Sequence, residues 1–296
     1  MRLFSSSTSS FRELLTVFVH LQMQASSSMV DDAWAGYSYI SSVRGREAEA
    51  EGFALNLTYV LPNVSAASAI DRAEAFFAPL YACVGRYPGE LFLLNSTARL
   101  YSSFQEWRTS VLCSANPGIC TDPTGTNAAL ASRLLPESAL RLRAPDVAAA
   151  LMEIVRTPDI EFIIGHLVGG GAVARVGAAF DSINPAWRTA IWHVILVSTW
   201  QDPEAAATSF EMVTRMNRLL IGLSPGSGAY LNEADLNEPD WQQSFFGSHY
   251  GPLKAIKDLY DPRGLFTCVN CVGSEDWIGN NLNCHDLSTR PNMDSP

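Results

Sequence analysis

The chain has 296 residues, 47% hydrophobic and 17% charged, a balance that supports a sizeable folded core and excludes a disordered polyelectrolyte. Its formal net charge of −10 repels phosphate backbones and argues against nucleic acid as a partner. No apolar run is long enough to cross a bilayer, so no membrane partner is expected.

Taken in chain order, residues 9–24 fit an amphipathic helix, with Phe11, Leu14, Leu15, Phe18 and Leu21 near helical spacing and Ser9 or Ser10 as its cap. Met1-Arg2 and the serines that follow make a poor secretion signal, because His20 interrupts the apolar patch and no clean cleavage site follows. Trp34 to Ile40 reads as an aromatic strand. Phe53 to Tyr59 alternates apolar and polar residues, which places Asn56 on the exposed face of a half-buried strand. Residues 65–83 read as a helix with Ala66, Ala69, Ile70, Ala73, Phe76, Phe77 and Leu80 inward.

Residues 113–127 carry loop chemistry, and Cys113 with Cys120 would close a small surface loop there. A helix follows at 146–156. Two apolar strands come next, Ile160 to Val168 and Ala172 to Val176, separated by Gly169-Gly170-Gly171. That glycine run marks a tight turn or a close approach of another body to the backbone. Thr189 to Ser198 fits a further strand. Asp202-Pro203-Glu204 starts a helix that runs to about Leu223 and stops at Ser224-Pro225-Gly226. Ala229 to Leu231 reads as a short strand, Asp240-Trp241 as a helix start, and Leu253 to Tyr260 as a helix ended by Asp261-Pro262. Leu265 and Phe266 are expected to tuck back into the core. Strands and helices mix without βαβ alternation, so the expected fold class is α+β, an antiparallel sheet covered by helices on one side.

Six cysteines and three sequons, at Asn56, Asn63 and Asn95, favour an oxidising, secreted setting. A secreted body without a clean signal at Met1 implies a start further upstream. Cys268-Val269-Asn270-Cys271 lacks the strand-to-helix context of a redox motif, and a disulfide from Cys268 or Cys271 to Cys284 is expected instead. The five histidines show no metal spacing, and no phosphate-cradling loop or serine-nucleophile elbow is present.

The stretch from Pro225 to Trp277 carries an ordered set of features: Tyr230-Leu231-Asn232-Glu233-Ala234-Asp235, Phe245-Phe246-Gly247, Leu253 with Ile256-Lys257, Tyr260-Asp261-Pro262, and Leu265-Phe266. This set resembles the C-terminal motif of berberine-bridge-enzyme-like FAD-linked oxidoreductases. Val272 to Trp277 is similar to their fungal branch, as are the upstream blocks Ser132 to Leu135, Gly169 to Arg175 and Asn184 to Arg188.

The resemblance implies the sheet domain of the vanillyl-alcohol-oxidase and berberine-bridge-like flavoproteins. Its domains are an N-terminal helix at 1–24, a substrate-binding α+β body at 25–223, the berberine-bridge-like region at 224–278 and a flexible tail at 279–296. It further implies oxidation of a hydroxyl-bearing small molecule, with FAD as cofactor and O2 as acceptor. The family's flavin-attachment residues and pyrophosphate loops have no counterpart here, so FAD is expected to be bound mainly by a complementing flavin domain. The rival reading is a non-catalytic fragment unable to hold FAD alone.

By resemblance Tyr230 occupies the catalytic-base position, with Asn232 on the same side of its strand and near the flavin. An ordinary phenol titrates near pH 10, at about pKa 10, so such a base needs local help. The plainer reading is a tyrosine packed under the sheet with its hydroxyl bonded to backbone. His166 and Arg175, on the strands beside the glycines, are substrate-lining candidates, and a structural role is open for each. Trp187 and Trp192 read as core, Lys257 as the partner of an acid, and Asp235 and Asp261 as turn and cap residues.

Overall fold

The computed structural model describes residues 1–25, 34–43, 51–62, 65–113, 127–177 and 181–278. Its strands are β1 (Arg2–Ser5), β2 (Ala35–Val43), β3 (Gly52–Val60), β4 (Leu91–Asn95), β5 (Ala128–Pro136), β6 (Phe162–Leu167) and β7 (Ala190–Thr199). They form one seven-stranded sheet in the order β4-β1-β3-β2-β6-β7-β5, with every pairing antiparallel.

The main helices are α1 (Thr8–Ala25), α2 (Ala66–Arg86), α3 (Ala144–Arg156) and α4 (Ala206–Leu223). The apolar stripe of α1 and the inward face of α3 are buried against the sheet. On that face Trp192 of β7 is sealed and meets Phe18 of α1 edge-on, ring centres 5.6 Å apart. Alternation then fixes the other face. In β2, Ser38 and Ile40 point into the core while Tyr37 and Tyr39 point out. In β6, Ile163, Gly165 and Leu167 point in while Phe162, Ile164 and His166 point out. The expected α+β class, with helices over one side of an antiparallel sheet, is the class observed.

After α4 the chain crosses to the free edge of β5. There the Leu134 N–H donates to the Gly228 carbonyl at 2.8 Å, and the Ser227 hydroxyl donates to the Leu134 carbonyl at 2.6 Å. Two helices follow, α5 (Trp241–Phe246) and α6 (Tyr250–Tyr260), and a short helical turn at Glu275–Ile278 ends the described residues.

Several local expectations are corrected. Residues 172–176 are no strand. Gly170 (φ 76°) and Gly171 (φ 47°) adopt left-handed backbone that only glycine takes easily, and the chain then enters a helical turn, Gly171–Arg175. Gly169 lies so close to the backbone of Ala190 that a side chain there would collide with it, which confirms the close-approach reading of the glycines. Ala229 to Leu231 is also no strand. Tyr230 is extended (φ −89°, ψ 115°) and opens a 3-10 turn at Leu231–Glu233.

Helix α1 begins at Thr8, so Ser10 lies inside its first turn, bonded to the Ser7 carbonyl, rather than capping it. Ile70 faces solvent, because α2 is sealed only toward its end, at Leu80 and Cys83. Leu265 and Phe266 are 68% and 76% exposed, since their backbone N–H groups are held by the Asp261 carboxylate in a surface turn. Cys268 bonds to Cys271, with Cα atoms 5.4 Å apart, and not to Cys284. Cys113 is disulfide-bonded and Cys83 is a buried free thiol. Asn63, Cys120, Cys284 and the tail at 279–296 lie outside the described residues.

Candidate functional site

The site forms where the segment after α4 folds over the outward face of β7 and β6. The Tyr230 ring is 38% exposed, neither sealed in the core nor bonded to backbone. The 3-10 turn curls Asn232 back so that its Nδ2 donates to the phenolic oxygen at 2.7 Å. Tyr230 and Asn232 therefore meet as expected, through a turn rather than strand alternation. That bond sets a fixed donor against the phenolic oxygen, where it favours the phenolate, the form able to accept a proton.

Two rings wall the phenol. The Trp187 ring centre lies 6.1 Å away, nearly perpendicular, and that of His193 lies 5.8 Å away. Trp187 is thus a site residue and not core, in contrast to Trp192. It sits on a 3-10 turn, Pro185–Arg188, whose preceding Asn184 accepts from the Ala186 N–H and donates to the Ser244 carbonyl at 2.7 Å. Arg188 ties this turn to the glycine turn by donating to the Val173 carbonyl at 3.1 Å and to Asp181 at 2.5 Å.

His193 and His166 stand directly opposite each other in the β6–β7 register, ring centres 5.4 Å apart. Tyr37 meets His166 edge-on at 4.7 Å. Glu233, three residues after Tyr230, brings a carboxylate oxygen to 3.7 Å from His193 Nδ1. Burial pushes the His193 imidazole down to about 3, helped by His166, and burial also lowers His166. Burial raises the Glu233 carboxyl. Both histidines are therefore neutral at pH 7. Arg175 is exposed on the helical turn, and the strand expected to aim it does not exist.

Below the site, the acids of the motif act as anchors. Asp235 accepts from Thr214 Oγ1 and from the Asn237 N–H, both at 2.9 Å. Glu238 accepts from Arg133 and Asn217, both at 3.0 Å. Lys257 pairs with Asp261 at 2.5 Å, as its helix position implied. Sequence reasoning missed His193, Glu233, Trp187 and Tyr37. Only the strand register brings the histidines together, and Glu233 follows from a turn that read as strand.

Residues 229–272 match the profile of the family described as "Berberine and berberine like". Among curated proteins, the chain is 32% identical over 273 residues to an uncharacterized FAD-linked oxidoreductase of Arthroderma benhamiae, covering 83% of this chain and 45% of that protein. It is 36% identical over 155 residues to the FAD-linked oxidoreductase patO of Aspergillus clavatus, covering 51% of this chain and 27% of that protein. Among solved structures, the VAO-type flavoprotein MtVAO713 of Myceliophthora thermophila matches with a TM-score of 0.73 and 25% identity, over 93% of this chain and 48% of that one. Berberine bridge enzyme from Eschscholzia californica shares the fold, with a TM-score of 0.60 at 15% identity over 92% of this chain and 54% of that one. The chain spans about half the length of these structures and less than half of the two curated relatives. No helix among the described residues is long and apolar enough to cross a membrane. A matching C-terminal motif, similarity to fungal FAD-linked oxidoreductases and a shared architecture together make the chain similar to part of the FAD-linked oxidoreductases of the vanillyl-alcohol-oxidase and berberine-bridge type.

Proposed function

We propose that this chain forms the substrate-facing half of a secreted FAD-dependent oxidase that acts on a hydroxyl-bearing small molecule, an alcohol, sugar or secondary metabolite, with O2 as the final acceptor. The observation that carries this reading is the Tyr230 phenol, open to solvent on the outward sheet face with the Asn232 amide bonded to its oxygen. Tyr230 takes the proton of the substrate hydroxyl. The base is the phenolate form of Tyr230, and the Asn232 amide holds its oxygen in place and stabilises its charge until the proton arrives. Trp187 and His193 confine the ring on two sides, so the oxygen presents one direction to substrate.

The same face fits a flat conjugated cofactor. Tyr37, Tyr39, Phe162 and His166 present rings outward from β2 and β6, and His193 Nε2 is buried with no hydrogen-bond partner. These residues would lie against one side of the FAD ring system, while a complementing flavin domain supplies the main grip on the cofactor. FAD, when bound, supplies the hydride acceptor. The exposed Asn95 sequon and the Cys268–Cys271 disulfide support an oxidising, extracellular setting.

The test is Tyr230→Phe in the FAD-loaded enzyme. A panel of alcohols, sugars and phenolic metabolites, screened by O2 consumption, first identifies a substrate. Anaerobic flavin bleaching by that substrate is expected to slow by roughly 100-fold or more in the variant, the usual worth of a general base. The flavin spectrum itself should stay unchanged. Bleaching within about threefold of the parent would remove Tyr230 from the chemistry.

A further inference from the structure

We propose that His166, His193 and Glu233 form a binding site for one divalent transition-metal ion of the zinc class. The three residues come from β6, β7 and the 3-10 turn after Tyr230, and one ligand atom from each lies within 4.8 Å of the other two. They do not satisfy one another. His193 Nδ1 and the nearest Glu233 oxygen stand 3.7 Å apart, beyond hydrogen-bond distance. His193 is only 2% exposed, and its Nε2 has no partner. Two imidazoles packed edge to face beside a carboxylate, with no hydrogen bond made among them, is an arrangement that side-chain packing alone disfavours.

The spacing suits a cation placed between them. Ligand atoms about 2.0–2.1 Å from a tetrahedral zinc stand roughly 3.4 Å from each other, so the His193–Glu233 pair at 3.7 Å is already near that spacing and a set spread over as much as 4.8 Å closes by side-chain rotations of up to about 1.4 Å. Two nitrogens and one carboxylate oxygen make the His2Glu donor set that binds zinc and keeps a fourth position open. Imidazole ligands favour zinc, nickel or copper over calcium and magnesium, which prefer oxygen alone. The Glu233 side chain is 32% exposed and His166 is half-buried, which leaves an entry path from the outward face. A cation held there would stand beside the Tyr230 ring, 5.8 Å from that of His193. His166 and His193 also belong to the face proposed above to meet the flavin, so metal and flavin would compete there; the test uses the flavin-free chain, and its outcome is read separately from the oxidase activity.

The experiment is a cobalt titration of the chelator-stripped chain, followed by visible absorption, with zinc added in competition. One Co2+ per chain should bind, with the intense visible bands of low-coordinate cobalt, and zinc should displace it. His166→Ala and Glu233→Gln alter partly exposed side chains and should leave the thermal midpoint near that of the parent. Each should weaken binding at least about tenfold. His193→Gln should abolish the cobalt spectrum. Binding absent below millimolar Co2+, or binding unchanged in both the His166 and Glu233 variants, would overturn the assignment.

Discussion

Arg133 of β5 is buried against the segment that carries Tyr230, and its guanidinium makes five hydrogen bonds there. It reaches Ser224 Oγ at 3.1 Å, the Ser224 and Ser227 carbonyls at 3.2 Å each, Ser244 Oγ at 3.4 Å and Glu238 at 3.0 Å. Burial lowers the arginine and raises Glu238, so for each partner desolvation outweighs the attraction of the other. The pair positions the C-terminal segment more than it stabilises the fold. Replacing Arg133 with Met leaves Glu238 buried and uncompensated, and urea unfolding should show a loss of about 3–5 kcal/mol. Arg133→Met combined with Glu238→Gln should recover part of that loss. A double variant as unstable as the single one would mean that the hydrogen bonds to Ser224 and Ser227 matter more than the ion pair. Arg133 stood in a block that resembles the fungal enzymes, yet nothing in one sequence reveals that a guanidinium on a strand faces a carboxylate more than a hundred positions later. Tyr230 and Asn232 were legible because a motif only a few residues long names them. His193 and Glu233 were not, because one depends on strand register and the other on a 3-10 turn.

Elements with a long, regular period were legible. Helices α1, α3 and α4 announce themselves by apolar residues every three or four positions, and β3 and β7 by their apolar content and strand length. Short apolar runs were not, since five residues such as Ala172 to Val176 fit a strand or a helical turn equally well, and glycine geometry decides. Gly165 shows what an element demands of one position. A Cβ there would run into the Trp192 indole and the Ser38 hydroxyl on the core face of the sheet. Gly165→Ala should overpack this contact and cost about 1–3 kcal/mol, read from the denaturation midpoint. An unchanged midpoint would mean that Trp192 has room to turn.

At the end of α6 the hydrogen bond from Lys257, and then the N–H groups of Phe266 and Leu265, hold the Asp261 carboxyl down to about 2. A carboxyl depressed below its unfolded value of about 3.9 contributes stability above that pH, and loses it as pH falls toward 2. Amide exchange at Leu265 and Phe266, corrected for its intrinsic pH dependence, should therefore speed up as pH drops from 4 to 2. Asp261→Asn should show the faster exchange at every pH. Equal protection in the parent and the variant would dissociate the turn from this carboxylate.

The whole molecule has two unlike faces. Helices seal one side of the sheet, while the other keeps Tyr37 and Tyr39 of β2 and Phe92 of β4 well exposed. Sequence periodicity shows that these strands have two faces, but not which of them is covered, because that depends on packing partners outside each strand. Folded chains rarely leave large apolar patches open unless something docks there. The chain spans about half the length of the solved structures it resembles. The chain alone should therefore bind the hydrophobic dye ANS strongly while unfolding cooperatively. Replacing Tyr37 and Tyr39 together with serine should remove much of that fluorescence. Their side chains leave the sheet on the open side, so the thermal midpoint should shift little, as surface substitutions usually change stability by within about 0.5 kcal/mol. Strong dye binding that persists in the double variant with an unchanged midpoint would locate the sticky surface elsewhere. The exposed residues at the end of α6, Leu259 and Tyr260, would be the next to replace. A large fall in the midpoint would instead show that β2 owes its place in the sheet to these two rings, and that its outward face is structural.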